Sequence, residues 1–442
     1  MPPAKPTSPR QIRSRSLGAP LAVASLLTVA SLLTVAGLLG LASCASPAAS
    51  PAASPSASAV PHGYVAGAAE MAEPQLHLAT LNAAGSLALL DLLGGGTTPV
   101  TTIDEVSGVS TDGRFVFAAS AGQGAVTIVD SGVWTVDHED HQHYYRAAPA
   151  VVGTVTGTGA GIVSAGGTLS TVRFADSGTG LILDHGDLEN GTVTELGRVD
   201  GDPGAGVLVP FGDSVLEGRT DAPGSAAHGA SAVRVLDATG APLAGATADC
   251  AELSGTITTR VGVVFGCADG ALLATAGAEQ TIGFERIPYP DGVLASDRAL
   301  AFANRAGRPT VAAVAGDGGA WLLDTRERSW SRLATDTPLL QVTAVDDSAG
   351  HVVALAKDGR VLVLDAATGG TLAATEPLLA ATLAAGAGNA PDGVTLTVDA
   401  GRAYLNAPAE GLVYEIDFAD NARIARTFPI DGEPRFLAET GL

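Results

Sequence analysis

The run Asp137-His138-Glu139-Asp140-His141-Gln142-His143 gathers metal-ligand chemistry as no other window of this 442-residue chain does. Three of its 8 histidines lie within six residues, interleaved with carboxylates. Neutral imidazole nitrogen and carboxylate oxygen suit a borderline divalent cation such as Zn2+ when no thiolate is offered. Backbone shape decides which of them can act together. In an extended strand His141 and His143 share one face and His138 points to the other. In a loop all three converge, and Asp140 becomes a candidate oxygen ligand. The bland alternative is a solvated acidic loop whose histidines touch nothing.

The compartment decides which other ligands are available. Lys5, Arg10, Arg13 and Arg15 precede an uncharged apolar run from Leu17 to Leu41, as in an export signal. The run ends in Leu41-Ala42-Ser43-Cys44, which resembles the lipobox of bacterial lipoproteins. Residues 1–43 are therefore expected to be a lipoprotein signal peptide, with Cys44 lipidated. An uncleaved transmembrane anchor is the alternative, since the run is long enough to span a bilayer. Either reading places the rest outside the cytoplasm, and the first tethers it to the cell membrane by lipid. Residues 44–61 are almost all Ala, Ser and Pro, a composition that buries no core and serves as a tether. Residues 62–442 are expected to form a single domain.

The chain carries a formal charge of −22, and loss of four basic residues with the leader takes it to −26. Such a surface repels nucleic acid and anionic headgroups and attracts cations. Beside Cys44 only Cys250 and Cys267 remain. An even pair in an exported protein reads as a disulfide, with a pair of soft metal ligands as the alternative.

The body of the domain is a repeat. Short apolar runs separated by Gly, Asp and Asn read as strands joined by tight turns. The recurring pattern is a turn such as Asp-Gly-Arg, a strand, a Gly-containing turn and a strand that closes on Asp. The closing residues are Asp91, Asp130, Asp184, Asp237, Asp324, Asp365 and Asp417, and a degenerate eighth slot runs from Asp269 to Thr275. Apart from the gap that spans this slot, they are 39 to 54 residues apart. That period, with several strands per unit, predicts an all-β propeller of seven or eight blades, eight being the better count. On a propeller, equivalent positions of successive blades face one channel mouth. His185, one blade beyond the cluster, and His228, before the strand to Asp237, are therefore further candidate ligands. Asp184 and Asp187, which flank His185, are candidates to orient its ring nitrogens from behind.

The segment Val133-Trp-Thr-Val-Asp-His-Glu-Asp-His-Gln-His-Tyr-Tyr145-Arg resembles the histidine segment of periplasmic zinc metallochaperones of the AztD type. Phe174-Ala-Asp-Ser-Gly-Thr-Gly180, Asp184-His-Gly-Asp187, His228-Gly229 and the Cys250–Cys267 pair resemble later blocks of that family. The resemblance covers about residues 75 to 440. It implies a secreted propeller that captures Zn2+ and hands it to the solute-binding protein of an ABC importer, here from a lipid anchor and as a monomer. The chain departs from the family at Leu253-Ser254-Gly255, where a His commonly stands. A Ser hydroxyl does not replace an imidazole as a zinc ligand of similar strength.

Enzymatic readings find less support. Pro210-Phe-Gly-Asp-Ser214 resembles the nucleophile block of GDSL hydrolases, but no Asp-x-x-His follows it. A quinone-type propeller enzyme is the rival on fold alone, yet with 3 Trp the chain lacks the aromatic stacking of such blades. A non-catalytic surface propeller for protein–protein interaction remains if the histidines are idle. The expectation is a protein that is not an enzyme.

Overall fold

In the computed structural model of the chain the described residues are 63–442, except 139–140, 205, 220–231, 279–280 and 388–389. The leader, Cys44, the tether, His62, Asp140 and His228 lie outside them. No helix among the described residues is long and apolar enough to cross a membrane.

Among the described residues eight antiparallel sheets follow one another as propeller blades, and a ninth, smaller sheet is set beside them. The runs closing on Asp91, Asp130, Asp184 and Asp237, the degenerate slot, and the runs closing on Asp324, Asp365 and Asp417 are, in that order, the last-but-one strands of blades 1 to 8, so the repeat seen in sequence is the blade. Blade 2 is representative: Gly108–Thr111, Phe115–Ser120, Ala125–Asp130 and Ala150–Thr156. First strands of neighbouring blades touch: Gly108–Thr111 meets both Pro434–Thr440 and Gly161–Gly166. They therefore face the axis, and the fourth strands face the rim. Burial follows this order. Phe115–Ser120 is buried at every position, whereas the rim strand Pro242–Asp249 of blade 4 has no buried residue, being exposed or half-buried throughout. Middle strands read as unbroken apolar runs because neighbouring blades cover both of their faces. Between blades 2 and 3, for example, Phe115, Phe117, Ile128, Phe174, Leu183 and Leu188 form one core.

Blade 6 has three strands, Thr310–Val314, Gly319–Asp324 and Ser329–Ala334. Its axial place is taken by single bridges from Ala303 to Ala312 and from Asn304 to Ala344 of blade 7.

The closing Asp residues earn their recurrence through local hydrogen bonds. Asp91 Oδ1 accepts from the N–H groups of Leu93 and Gly94, and Asp324 Oδ1 from those of Arg326 and Glu327. Each is an Asx-type turn that joins the closing strand to the rim strand. At Asp365 the Thr368 hydroxyl and the backbone N–H of the same residue hold the carboxyl below its ordinary pKa. Cys250 and Cys267 form a disulfide with both residues buried, linking the end of blade 4 to the second strand of blade 5.

The ring is closed by the C-terminus. Pro434–Thr440 supplies the axial strand of blade 1 and pairs with His77–Asn82, from His77↔Thr440 to Asn82↔Pro434. Glu439 on this strand is 1% exposed, and no donor reaches either carboxyl oxygen. Burial first, and the Asp399 carboxylate second, raise its pKa well above the ordinary range. Asp399 itself accepts from the N–H groups of Gly401 and Arg402 and from the Tyr404 hydroxyl.

The folded state thus holds the Glu439 proton that the unfolded chain releases near pH 4.3. Stability is unpenalised below that pH. Above it, stability falls by up to about 1.4 kcal/mol per pH unit until the folded carboxyl ionises. Glu439→Gln removes this cost and lets an amide donate to Asp399. Its gain in melting temperature over the wild type should therefore widen between pH 5 and pH 8. A gain that is constant with pH would show that the carboxyl is ionised in the folded protein.

Candidate metal centre

The histidine run is the tip of a hairpin set into blade 2. The third strand ends at Asp130 and the rim strand starts at Ala150, and these two residues are paired as though nothing intervened. Between them the chain makes an excursion. Val133–Asp137 pairs with Gln142–Arg146 in the register Trp134↔Tyr145 and Val136↔His143. β-Branched and aromatic residues favour both arms. The His138 N–H donates to the His141 carbonyl at 2.9 Å and closes the tip. Ala69–Met71, from the N-terminal end of the domain, adds a third strand along Tyr144–Arg146, with Glu70 opposite Tyr145.

Several contacts seat this small sheet on the propeller. Trp134 Nε1 donates to the Gly63 carbonyl at 3.1 Å, and Thr135 Oγ1 donates to the Gly441 carbonyl at 2.7 Å. Gly63 has φ +78°, and a Cβ there would meet Val136 Cγ2 at 2.4 Å, so the approach requires glycine. Arg146 donates to Asp91 Oδ2 at 3.1 Å. His77 lies 3.8 Å from the same oxygen, buried at blade 1, where burial lowers its pKa.

The tip brings His138, His141 and His143 together. One nitrogen from each lies within 4.8 Å of the others, and the group could hold a metal ion. The Nε2 atoms of His141 and His143 are 3.1 Å apart. The three ring centroids are 4.9 to 5.3 Å apart. His141 is exposed, and the other two are half-buried. His143 Nδ1–H donates to Glu70 Oε1 at 2.6 Å, which leaves Nε2 as the nitrogen that faces the group. Of the two backbone shapes open to the sequence, the structure adopts the one in which all three converge.

The other candidates among the described residues are placed elsewhere. His185 opens the short helix His185–Glu189 between the third and fourth strands of blade 3. Its Nδ1 pairs with Ser170 Oγ at 2.8 Å, its Nε2 is 3.7 Å from Asp112, and Phe115 packs edge-on against it at 5.3 Å. It stands outside the three-histidine group. Asp184 caps that helix by accepting from the Asp187 N–H at 2.9 Å. Ser254 Oγ donates to the Ala299 carbonyl at 3.0 Å, bracing the loop that leads to blade 6. With the two thiols joined in blade 5, the group has only nitrogen and oxygen donors to work with.

Structural comparison places this architecture. A crystal structure of AztD from Citrobacter koseri superposes with a TM-score of 0.69, at 19% identity, over 83% of this chain and 98% of that one. The fold is that of AztD. A structure of apo AztD from the same organism gives 0.68, also at 19% identity, over 83% and 97% of the two chains. The dihydro-heme d1 dehydrogenase NirN is a more distant likeness, at TM-score 0.52 and 17% identity, over 84% of this chain and 76% of its own. No protein family model and no curated protein matches the chain in sequence.

Glu70 is a contributor that the sequence did not point to. It lies 73 residues before His143, in Ala-Glu-Met without any motif, and only strand pairing brings it to the ring. A carboxylate behind a ligating imidazole fixes its tautomer and raises its basicity. Glu70→Ala should lower the affinity of the group for a divalent metal by about 10- to 100-fold, measured calorimetrically. Unchanged affinity would make the contact incidental to binding.

Proposed function

We propose that this chain is an extracytoplasmic zinc metallochaperone. It captures Zn2+ on His138, His141 and His143 and passes it to the solute-binding protein of a zinc ABC importer. The observation that carries this reading is the convergence of three imidazoles at the tip of a hairpin. Tetrahedral ligands at about 2.0–2.1 Å from zinc lie about 3.3 Å from one another. The 3.1 Å between the Nε2 atoms of His141 and His143 suits that geometry with little movement. Three nitrogen ligands leave a fourth position for water, for Asp140 or for an incoming ligand of a recipient.

Hand-over needs ligands that exchange, and this site has the means. It holds no thiolate, and its tip is partly open to solvent. Uptake requires neutral imidazoles, so protons compete with the metal for the same nitrogens. The −26 charge of the mature chain draws cations toward the site and favours a recipient with a basic face. Lipidation of Cys44 would hold the chaperone at the cell membrane, beside an importer. Zinc is the cargo here, and the chain's own residues bind, orient and release it without catalysis.

Metal-free protein titrated with Zn2+ should take up close to one equivalent with a Kd tighter than about 1 μM. His138→Ala/His141→Ala/His143→Ala should abolish uptake while leaving the melting temperature of the metal-free form within a few degrees. The loaded wild type, but not the triple variant, should then transfer zinc to a metal-free solute-binding protein faster than zinc released to a chelator can account for. A wild type that binds no zinc ends this reading, and one that binds but releases only to chelator removes the hand-over.

A further inference from the structure

A column of flat side chains runs from the body of the propeller to the histidine group. It starts at Arg114, buried in the Asp112-Gly113-Arg114 turn of blade 2. Gly113 has φ +100°, and a Cβ there would press on Leu442, so the turn is packed against the C-terminus. Arg114 donates to Asp130 from Nε at 3.2 Å and from Nη2 at 2.8 Å, and from Nη2 to the Glu189 carbonyl at 3.3 Å. These bonds fix the plane of the guanidinium. Its central carbon lies 4.0 Å from the centroid of the Trp134 ring. Trp134 in turn stacks on Tyr145, with centroids 5.4 Å apart and planes 23° from parallel. Tyr145 is fully buried and lies within 20° of the plane of His143, at 6.3 Å.

Register explains the alignment. Trp134 and Tyr145 face each other across the hairpin, and His143 is two residues from Tyr145 on the same face. An isolated two-stranded hairpin is marginal in water. The orientation of its rings must therefore come from what it packs against. A desolvated guanidinium over a Trp ring and a stacked aromatic pair are each favourable beyond the area they bury. Glu70 fixes the other edge of the His143 ring.

We propose that Arg114 and Trp134 are positioning residues for the metal site. Acting through Tyr145, they set the plane of His143 and hence the direction of its Nε2. The proposal rests on the reading that the histidine group holds a metal. It gives the Trp-Thr-Val arm, which also seats the hairpin on Gly63 and Gly441, a task toward the metal.

Full-length protein is the material for the test, with Zn2+ followed by calorimetry and Co2+ as the spectroscopic probe of geometry. Trp134→Leu should weaken Zn2+ binding by about tenfold or more and alter the visible Co2+ bands, which report ligand angles. Trp134→Phe keeps a stacking ring and should restore both to near wild type. Arg114→Lys keeps the charge beside Asp130 but loses the planar stack, and should change the Co2+ bands even if its melting temperature is unchanged. If Trp134→Leu fails to fold, the contrast between Arg114→Lys and Trp134→Phe carries the test. Wild-type affinity and spectra in Arg114→Lys, and in Trp134→Leu where it folds, overturn the proposal. So does an affinity loss that merely follows the melting temperature, with unaltered Co2+ bands. A wild type that binds neither ion overturns the metal reading itself, which is a distinct outcome.

Discussion

A propeller blade cannot bury both of its faces alone, so each blade depends on two neighbours and the ring depends on being closed. Here closure is the pairing of Pro434–Thr440 with His77–Asn82, which joins the two ends of the domain in one sheet. The histidine hairpin inherits its supports from this event. Gly441, just past the closing strand, receives the Thr135 hydroxyl, and Gly63 receives the Trp134 indole N–H. Ala69–Met71, which leads into blade 1, provides the strand that carries Glu70. Only a closed ring brings these segments, distant in sequence, to one place. Order at the hairpin tip is thus a consequence of the global fold rather than of the local run of histidines.

The acidity of the chain has a more specific meaning in this setting. The carboxylates closest to the base of the hairpin are already engaged. Asp130 holds Arg114, Asp91 holds Arg146 and two backbone N–H groups, and Asp112 holds the N–H groups of its own turn. Glu70 is committed to His143. Neutralised or turn-bound groups of this kind compete weakly for a cation, and the buried thiols are joined to each other. The excess charge therefore acts as a long-range field, and close-range binding falls to the imidazoles.

Legibility in the sequence followed the range of the interaction. The blade repeat was readable because closing residues such as Asp91, Asp237 and Asp365 bond within four residues, so a local pattern carried the architecture. Convergence of the three histidines was open, since an extended arm would have split them. The bond from the His138 N–H to the His141 carbonyl and the Val136↔His143 register decide it. Blade equivalence pointed His185 toward the same mouth. A five-residue helix instead turns its ring in among Ser170, Phe115 and Asp112. Glu70 and Arg114 were silent, because their partners are set by strand pairing and by blade-to-blade packing, which no local pattern encodes.

The way the hairpin is inserted also separates function from stability. Asp130 and Ala150 stay paired across the excursion, so the ladder of blade 2 runs from its third strand to its rim strand without a break at that point. A segment whose ends are held together by the sheet costs little to lengthen, since loop-closure entropy grows only slowly with length. Its tip can then change protonation or ligation without straining the ring, while the column from Arg114 to His143 keeps its base in register. Rigidity where the rings are aimed, and exposure where His141 meets solvent, are what a site must combine if it is to bind a cation and still release it to another protein.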